Sequence, residues 1–305
     1  MISVLNILLN TKMVLYIGGH LSIAGKSIVR LIKDMISIDG STLQFFIRTP
    51  KSITMKTIFD RTSQSDIDEI KQLVKIHNFP LIVHGSYMTN LCKVQSQQPQ
   101  KYLDLVIDDI NKLSSINGIG VVMHPGSKRD LRKPQYQKTL ISNITSILKS
   151  ITNGSAKLVI ETMATPISYG SAFEELQYIY QHIDKSLKPR LGFCFDTAHV
   201  WAYGYDLSTI EKAYNVLIEF TKAIGGIGNF TCIHLNSNPS ICGSHIDRHA
   251  DFDKGTIPSE VLVYITAFAQ HFSIPIILER THKSLTKYKD EIKRMKHDLK
   301  MKLNE

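Results

Sequence analysis

Eight short apolar runs separated by helical patterns constrain this chain more than any other feature. They fall at Val14–Ile17, Leu43–Ile47, Leu81–Val83, Ile119–Met123, Leu158–Ile160, Leu191–Phe195, Phe230–Ile233 and Ile274–Leu278. Each is too short for a buried helix, and Leu191–Phe195 is bounded by Pro189 and a polar turn, which predicts strands of a covered sheet. Their recurrence at intervals of roughly 30–40 residues predicts parallel βαβ units. Eight such units close an α/β fold, a single (β/α)8 TIM barrel. A doubly wound open sheet would need a phosphate-binding glycine loop after its first strand. Gly225-Gly226-Ile227-Gly228 instead precedes a strand. The expected division is an N-terminal extension over 1–12, poorly ordered, a barrel over 13–284, and a basic C-terminal helix over 285–305, packed on the barrel or extending from it.

Six consecutive strand ends, from the third to the eighth, carry a potential metal-binding side chain: His84, His124, Glu161, Asp196, His234 and Glu279. In a barrel these ends face one mouth, where the chemistry of the fold sits. His199, expected in the loop after Asp196, and the later loop residues Asp247 and His249 reach the same place. Asp247 and His249 are two apart, so an extended loop points both the same way. The set comprises five imidazoles and four carboxylates. One zinc takes about four ligands, so nine imply a cluster of two or three ions. Imidazole mixed with carboxylate suits zinc, and manganese or iron would accept the same donors. The chemistry supports a metal centre over chance: four converging carboxylates without cations would repel one another and any phosphate. His20, His77, His182, His245, His271, His282 and His297 show no such pattern and are read as structural or surface residues.

The formal charge of +9 and pI near 9.2 favour a polyanionic partner, nucleic acid before an acidic membrane. The four cysteines, Cys92, Cys194, Cys232 and Cys242, form no Cys-x-x-Cys pair, and two lie in strand-like runs. Reduced, packed thiols of an intracellular protein are therefore expected. No run reaches the roughly 18–20 apolar residues of a membrane span, and residues 1–13 lack the basic start of a signal peptide. An intracellular, non-secreted monomer is expected, in cytoplasm or nucleus.

The motifs Gly18-Gly19-His20-Leu21-Ser22, His84-Gly85-Ser86-Tyr87, His124-Pro125-Gly126-Ser127, Glu161-Thr162, Cys194 to His199, His234-Leu235-Asn236, Gly243-Ser244 through Asp247-Arg248-His249, and Leu278-Glu279 stand in one order. The chain so defined resembles the endonuclease IV family of apurinic/apyrimidinic endonucleases, zinc-dependent DNA-repair enzymes on a TIM barrel. The resemblance spans residues 18 to 279 and fills all nine ligand positions.

It implies three zinc ions: one held by His84 and His124, a second completed by Asp196, His234 and Glu279, with Glu161 bridging the two, and a third held by His199, Asp247 and His249. It implies hydrolysis of the phosphodiester 5′ to an abasic site in double-stranded DNA, leaving a 3′-hydroxyl and a 5′-deoxyribose phosphate. Glu161, Glu279 and His124 would be the catalytic core. The abasic nucleotide would be flipped into the mouth, at a low cost because its base is missing. Tyr87 matches a residue that enters the DNA stack. The loop from Arg48 to Lys51 matches a second DNA-penetrating loop, with Lys51 where arginine is expected. Lys128, Arg129, Arg132, Lys133 and Arg248 would meet the DNA backbone. The run Ser237-Asn238-Pro239 and residues 250–254 depart from the family pattern, which bears on substrate fit. Two rivals remain: a sugar isomerase or epimerase of the same superfamily, and a non-catalytic DNA-binding protein whose metals are structural.

Overall fold

Each apolar run pairs in parallel with its sequence neighbour, and the eighth returns to the first, closing a barrel in the order β1 to β8. In this computed structural model the strands are β1 (Ile17–Leu21), β2 (Thr42–Phe45), β3 (Leu81–His84), β4 (Gly120–Met123), β5 (Lys157–Glu161), β6 (Leu191–Asp196), β7 (Phe230–His234) and β8 (Ile276–Leu278). The structure describes residues 14–98, 100–129, 132–152, 154–280 and 284–303, so the expected 1–12 extension lies outside the described residues. Closure leaves no exposed sheet edge.

The helices that wrap the sheet are α1 (Ile28–Ser37), α2 (Gln64–His77), α3 (Lys101–Ser115), α4 (Lys133–Ser150), α5 (Phe173–His182), α6 (Thr197–Tyr203), α7 (Ile210–Ala223), α8 (Ser259–His271) and α9 (Leu285–Leu303). Their starts follow local chemistry. Ser63 accepts from the Asp66 amide while the Asp66 carboxylate accepts from the Ser63 amide, a capping box at the head of α2. Ser27 caps α1 and Thr209 caps α7 in the same way, each accepting an amide hydrogen three residues on.

The largest core lies between strands and helices. A second, inside the barrel, consists of Ile82, Val122, Val159, Cys194, Cys232 and Ile277. The barrel is therefore plugged below its mouth rather than open through. Cys194 and Cys232, register partners on β6 and β7, are free, buried thiols within this plug.

Two elements differ from expectation, each for a physical reason. β1 begins where the expected strand ends, and it runs through Gly18 and Gly19. These glycines serve close packing: a Cβ on Gly18 would stand 1.8 Å from the Thr42 carbonyl oxygen, and one on Gly19 2.5 Å from the Tyr288 ring. Gly18→Ala forces backbone apart, so it should cost at least the ~1–3 kcal/mol typical of an overpacked core, measurable by denaturant unfolding. The segment after β6 is not a loop but α6. Asp196 caps it, its Oδ1 accepting from the His199 amide at 2.8 Å, and Gly204 ends it with φ of 126°. Of the two arrangements expected for the C-terminal helix, α9 has the packed one: Tyr288, Ile292, Met295 and Leu299 recur on one face and are buried against the barrel.

Candidate metal centre

The strand ends bring the expected side chains to one place, with Glu161 at its centre. Glu161 Oε2 lies 3.4 Å from His84 Nε2 and 3.1 Å from His124 Nε2. Its Oε1 lies 2.7 Å from His234 Nδ1 and 3.6 Å from His199 Nδ1. Glu279 Oε2 is 3.3 Å from His234 Nδ1 and 3.7 Å from His249 Nδ1. Asp247 Oδ1 approaches His199 Nε2 at 3.1 Å and His249 Nε2 at 3.7 Å.

Among the described residues four sets of donor atoms each converge within 4.8 Å. Three are of imidazoles and carboxylates: His84, His124 and Glu161; Glu161, Asp196, His234 and Glu279; and Asp196, His199 and His249. The fourth is Cys194, Cys232 and His234, two of whose members are the thiols of the barrel plug. Glu161 belongs to two of the sets. So does Asp196, a sharing not expected from the sequence.

The electrostatics of the mouth fit cations. Burial favours the neutral form of Glu161, yet His234 and His124 outweigh it and hold the carboxyl well below the usual range. Burial likewise opposes ionisation of Glu279, and His234, His20 and His249 overcome it. Burial would lower His199, but Asp196, Asp247 and Glu161 raise it well above its ordinary value. The same contest, with Glu279 and Glu161 as the opposing charges, pushes His234 up to about 10. Among the described residues no lysine or arginine pairs with Glu161, Asp196, Asp247 or Glu279; imidazoles are their partners.

Hydrogen bonds on the far side of the rings orient the donors. His84 Nδ1 donates to the Gly85 carbonyl at 2.9 Å and His199 Nδ1 to the Thr162 carbonyl at 2.7 Å. A carbonyl only accepts, so Nδ1 carries the proton in each ring and Nε2 is the nitrogen turned toward a carboxylate, presenting a lone pair there once it sheds its proton. Two lone pairs face to face repel unless a proton or a metal lies between them. Glu161 Oε2 and His249 Nε2 are buried without a hydrogen-bond partner. Backbone-oriented imidazoles, converging carboxylates and orphaned donor atoms are what a metal site requires.

Other polar residues of the mouth escape a reading of the sequence. Gln44, on β2, accepts from His234 Nε2 at 2.8 Å and donates to Glu279 Oε1 at 2.7 Å, which turns His234 Nδ1 toward the carboxylates. His20, expected to be structural, stands in the same network, 2.9 Å from Gln44 Nε2 and 3.4 Å from Glu279 Oε1. Asn236 joins Asp196 to the start of the segment after β8. A polar residue inside an otherwise apolar covered strand is the available signal for Gln44.

The residues expected to meet DNA divide. Tyr87 is half-exposed on the rim, its ring 5.1 Å from that of His84 and 5.3 Å from that of His124. Lys51, Arg129 and Arg248 are exposed. Arg248 also lines a cavity of about 1080 Å³ at the mouth, together with His20, Phe46, Tyr87, His249 and Glu279. Arg48, expected as a DNA contact, also lines this cavity but is heavily engaged within the protein. Its side chain is 2 % exposed, and its guanidinium donates to Asp109 at 2.7 and 2.9 Å, to Asp108 at 2.6 Å and to the Thr54 carbonyl at 2.8 Å. A charge so committed anchors its loop. Lys128 is likewise engaged, its Nζ 2.6 Å from Glu175 Oε1.

A barrel with this mouth defines a class, and the comparisons place the chain within it. The family model of the xylose isomerase-like TIM barrel matches residues 40–300. The putative endonuclease 4 of Acanthamoeba polyphaga mimivirus is 32% identical over 91% of this chain and 89% of that protein. The apurinic-apyrimidinic endonuclease 1 of Saccharomyces cerevisiae is 30% identical over 91% of this chain and 74% of that protein. The crystal structure of endonuclease IV from Thermus thermophilus superimposes with a TM-score of 0.76 at 24% identity, covering 93% of this chain and 99% of the other. The chain belongs to the endonuclease IV family of xylose isomerase-like TIM barrels.

Proposed function

We propose that this protein is an apurinic/apyrimidinic endonuclease that hydrolyses the DNA phosphodiester 5′ to an abasic site, leaving a 3′-hydroxyl and a 5′-deoxyribose phosphate. The observation that carries the reading is the convergence of nine imidazole and carboxylate side chains from β3 to β8 and their loops on one mouth. Three zinc ions fit: His84 and His124 would hold one, Asp196, His234 and Glu279 a second with Glu161 shared, and His199, Asp247 and His249 the third. Divalent ions, when bound, make a nucleophile of water near neutral pH and stabilise charge on the phosphoryl oxygens.

The chain's own residues supply placement. Tyr87 stands at the rim beside His84 and His124, placed to fill the space of a missing base. Its amide and the Ser86 hydroxyl both donate to the Pro50 carbonyl, which ties together the two loops that frame the cavity. Arg248 lines the cavity, and it and the exposed Arg129 and Lys51 would supply positive charge for a phosphate backbone. All nine donors come from one chain, so a monomer suffices. No described helix is long and apolar enough to cross a membrane, and the four free cysteines fit an intracellular setting.

End-mapping on duplexes with and without one abasic analogue tests the reading. Expected is a single cut 5′ to the lesion, with a 3′-hydroxyl that a polymerase extends and no cut in the intact duplex. A sugar isomerase would leave both duplexes whole.

A further inference from the structure

We infer that Arg280 and Glu291 are positioning residues of the metal-holding mouth, a pair through which α9 sets the places of Asp196 and Glu279. The inference rests on the metal reading above and concerns residues outside the donor set.

Arg280 directly follows Glu279, and its side chain is 1 % exposed, unusual for a guanidinium. Its Nε donates to both carboxylate oxygens of Glu291, at 3.0 and 2.8 Å. Its Nη1 donates to Asn236 Oδ1 at 2.7 Å and to the Glu279 carbonyl at 3.3 Å, and Nη2 reaches the Leu235 carbonyl at 3.4 Å. The fork thus closes over the carboxyl ends of β7 and β8.

Asn236 passes the constraint inward. Its Oδ1, held by Arg280, also accepts from the Glu279 amide at 2.9 Å, and its Nδ2 donates to Asp196 Oδ2 at 2.7 Å. A continuous path of charge-assisted hydrogen bonds therefore runs from α9 through Glu291, Arg280 and Asn236 to Asp196, with the Glu279 backbone tied into it. Glu291 Oε1 also accepts from the Phe252 amide at 2.8 Å, fixing the 250–254 segment, where the sequence leaves the family wording. α9 supports the opposite wall too, since the Tyr288 hydroxyl donates to the His20 carbonyl at 3.1 Å.

The geometry assigns Arg280 no contact with a donor atom's lone pair. Its action is to hold the carriers of those atoms still. Lysine could keep the charge but could not span Glu291 and Asn236 with a planar fork.

The test compares the parent with Arg280→Met, Arg280→Lys and Glu291→Gln. Zinc per chain is measured after dialysis against graded chelator, with kcat and KM on an abasic duplex and thermal unfolding of each protein. Expected is a zinc affinity about 10–100-fold weaker in Arg280→Met, the range seen when partners behind metal ligands are removed. A smaller loss is expected in Arg280→Lys and Glu291→Gln, and kcat should fall while KM stays near the parent's. Parent-like zinc affinity and kcat in folded variants, with only the unfolding temperature lowered, would reduce the pair to structural support and overturn the inference. Should Arg280→Met fail to fold, Glu291→Gln decides by the same readouts. A parent protein that holds no zinc would instead sink the metal reading itself, which separates the two failures.

Discussion

Glu161→Gln is expected to cut abasic-site incision by on the order of 10³-fold while leaving the fold intact. Glutamine matches glutamate in shape, so the buried site, 0 % exposed, is neither emptied nor overfilled. The substitution removes the one negative charge placed between His84, His124 and His234. It also puts an amide NH2 where a donor oxygen must face either a metal or an imidazole lone pair. Losing one preorganised electrostatic contact in an enclosed site costs about 10²–10³ in rate, and Glu161 belongs to two donor sets at once. Single-turnover incision rates, read beside zinc content and circular dichroism, measure the effect. A rate within tenfold of the parent's would show that Glu161 is not the shared carboxylate of the centre.

The second large effect is expected in stability. Arg48→Met leaves Asp109 buried opposite a thioether. Breaking a buried ion pair from one side costs ~3–5 kcal/mol, enough to be unmistakable in guanidinium chloride unfolding. The loss should depend on pH. Burial already pushes Asp109 up to about 6 from its ordinary 3.8, against the lowering influence of Arg48, and removing Arg48 raises it further. A carboxyl whose folded pKa is raised binds more protons in the folded state, so stability falls as pH rises. The variant's deficit should be small below pH 3.8, where Asp109 is protonated in both states, and should grow through pH 6 and beyond. The double variant Arg48→Met, Asp109→Asn should recover much of the loss, because no uncompensated charge remains. A deficit that is flat with pH, or no recovery in the double variant, would contradict the buried-pair account of Arg48.

Arg48 also shows where sequence reading stops. A basic residue in a loop beside a rim tyrosine has the composition of a DNA contact, and only the third dimension reveals Asp109 of α3 beneath it. The strand-end donors are legible for the opposite reason. A period of strand and helix puts every strand end on one face, so position in the repeat alone brings His84 and Glu279 together. His199 falls where the sequence places it, although in a helix rather than a loop, since Asp196 both caps α6 and belongs to the donor sets. Gln44, His20, Asn236 and Arg280 are not legible as a network, because their roles lie in hydrogen bonds across strands that are distant in sequence. The start of β1 is hidden by Gly18 and Gly19, which read as turn residues but are strand residues where two backbones and a tyrosine leave no room for a side chain.

One measurement tests the central claim most directly: incision of a duplex carrying a single abasic analogue, without added magnesium, by protein assayed fresh, after brief chelation and after prolonged chelation. Expected is a cut 5′ to the lesion that survives brief chelation, disappears as the metal is stripped and returns when zinc is restored. Protein shown to carry its metal that makes no cut in any of these states would contradict the claim.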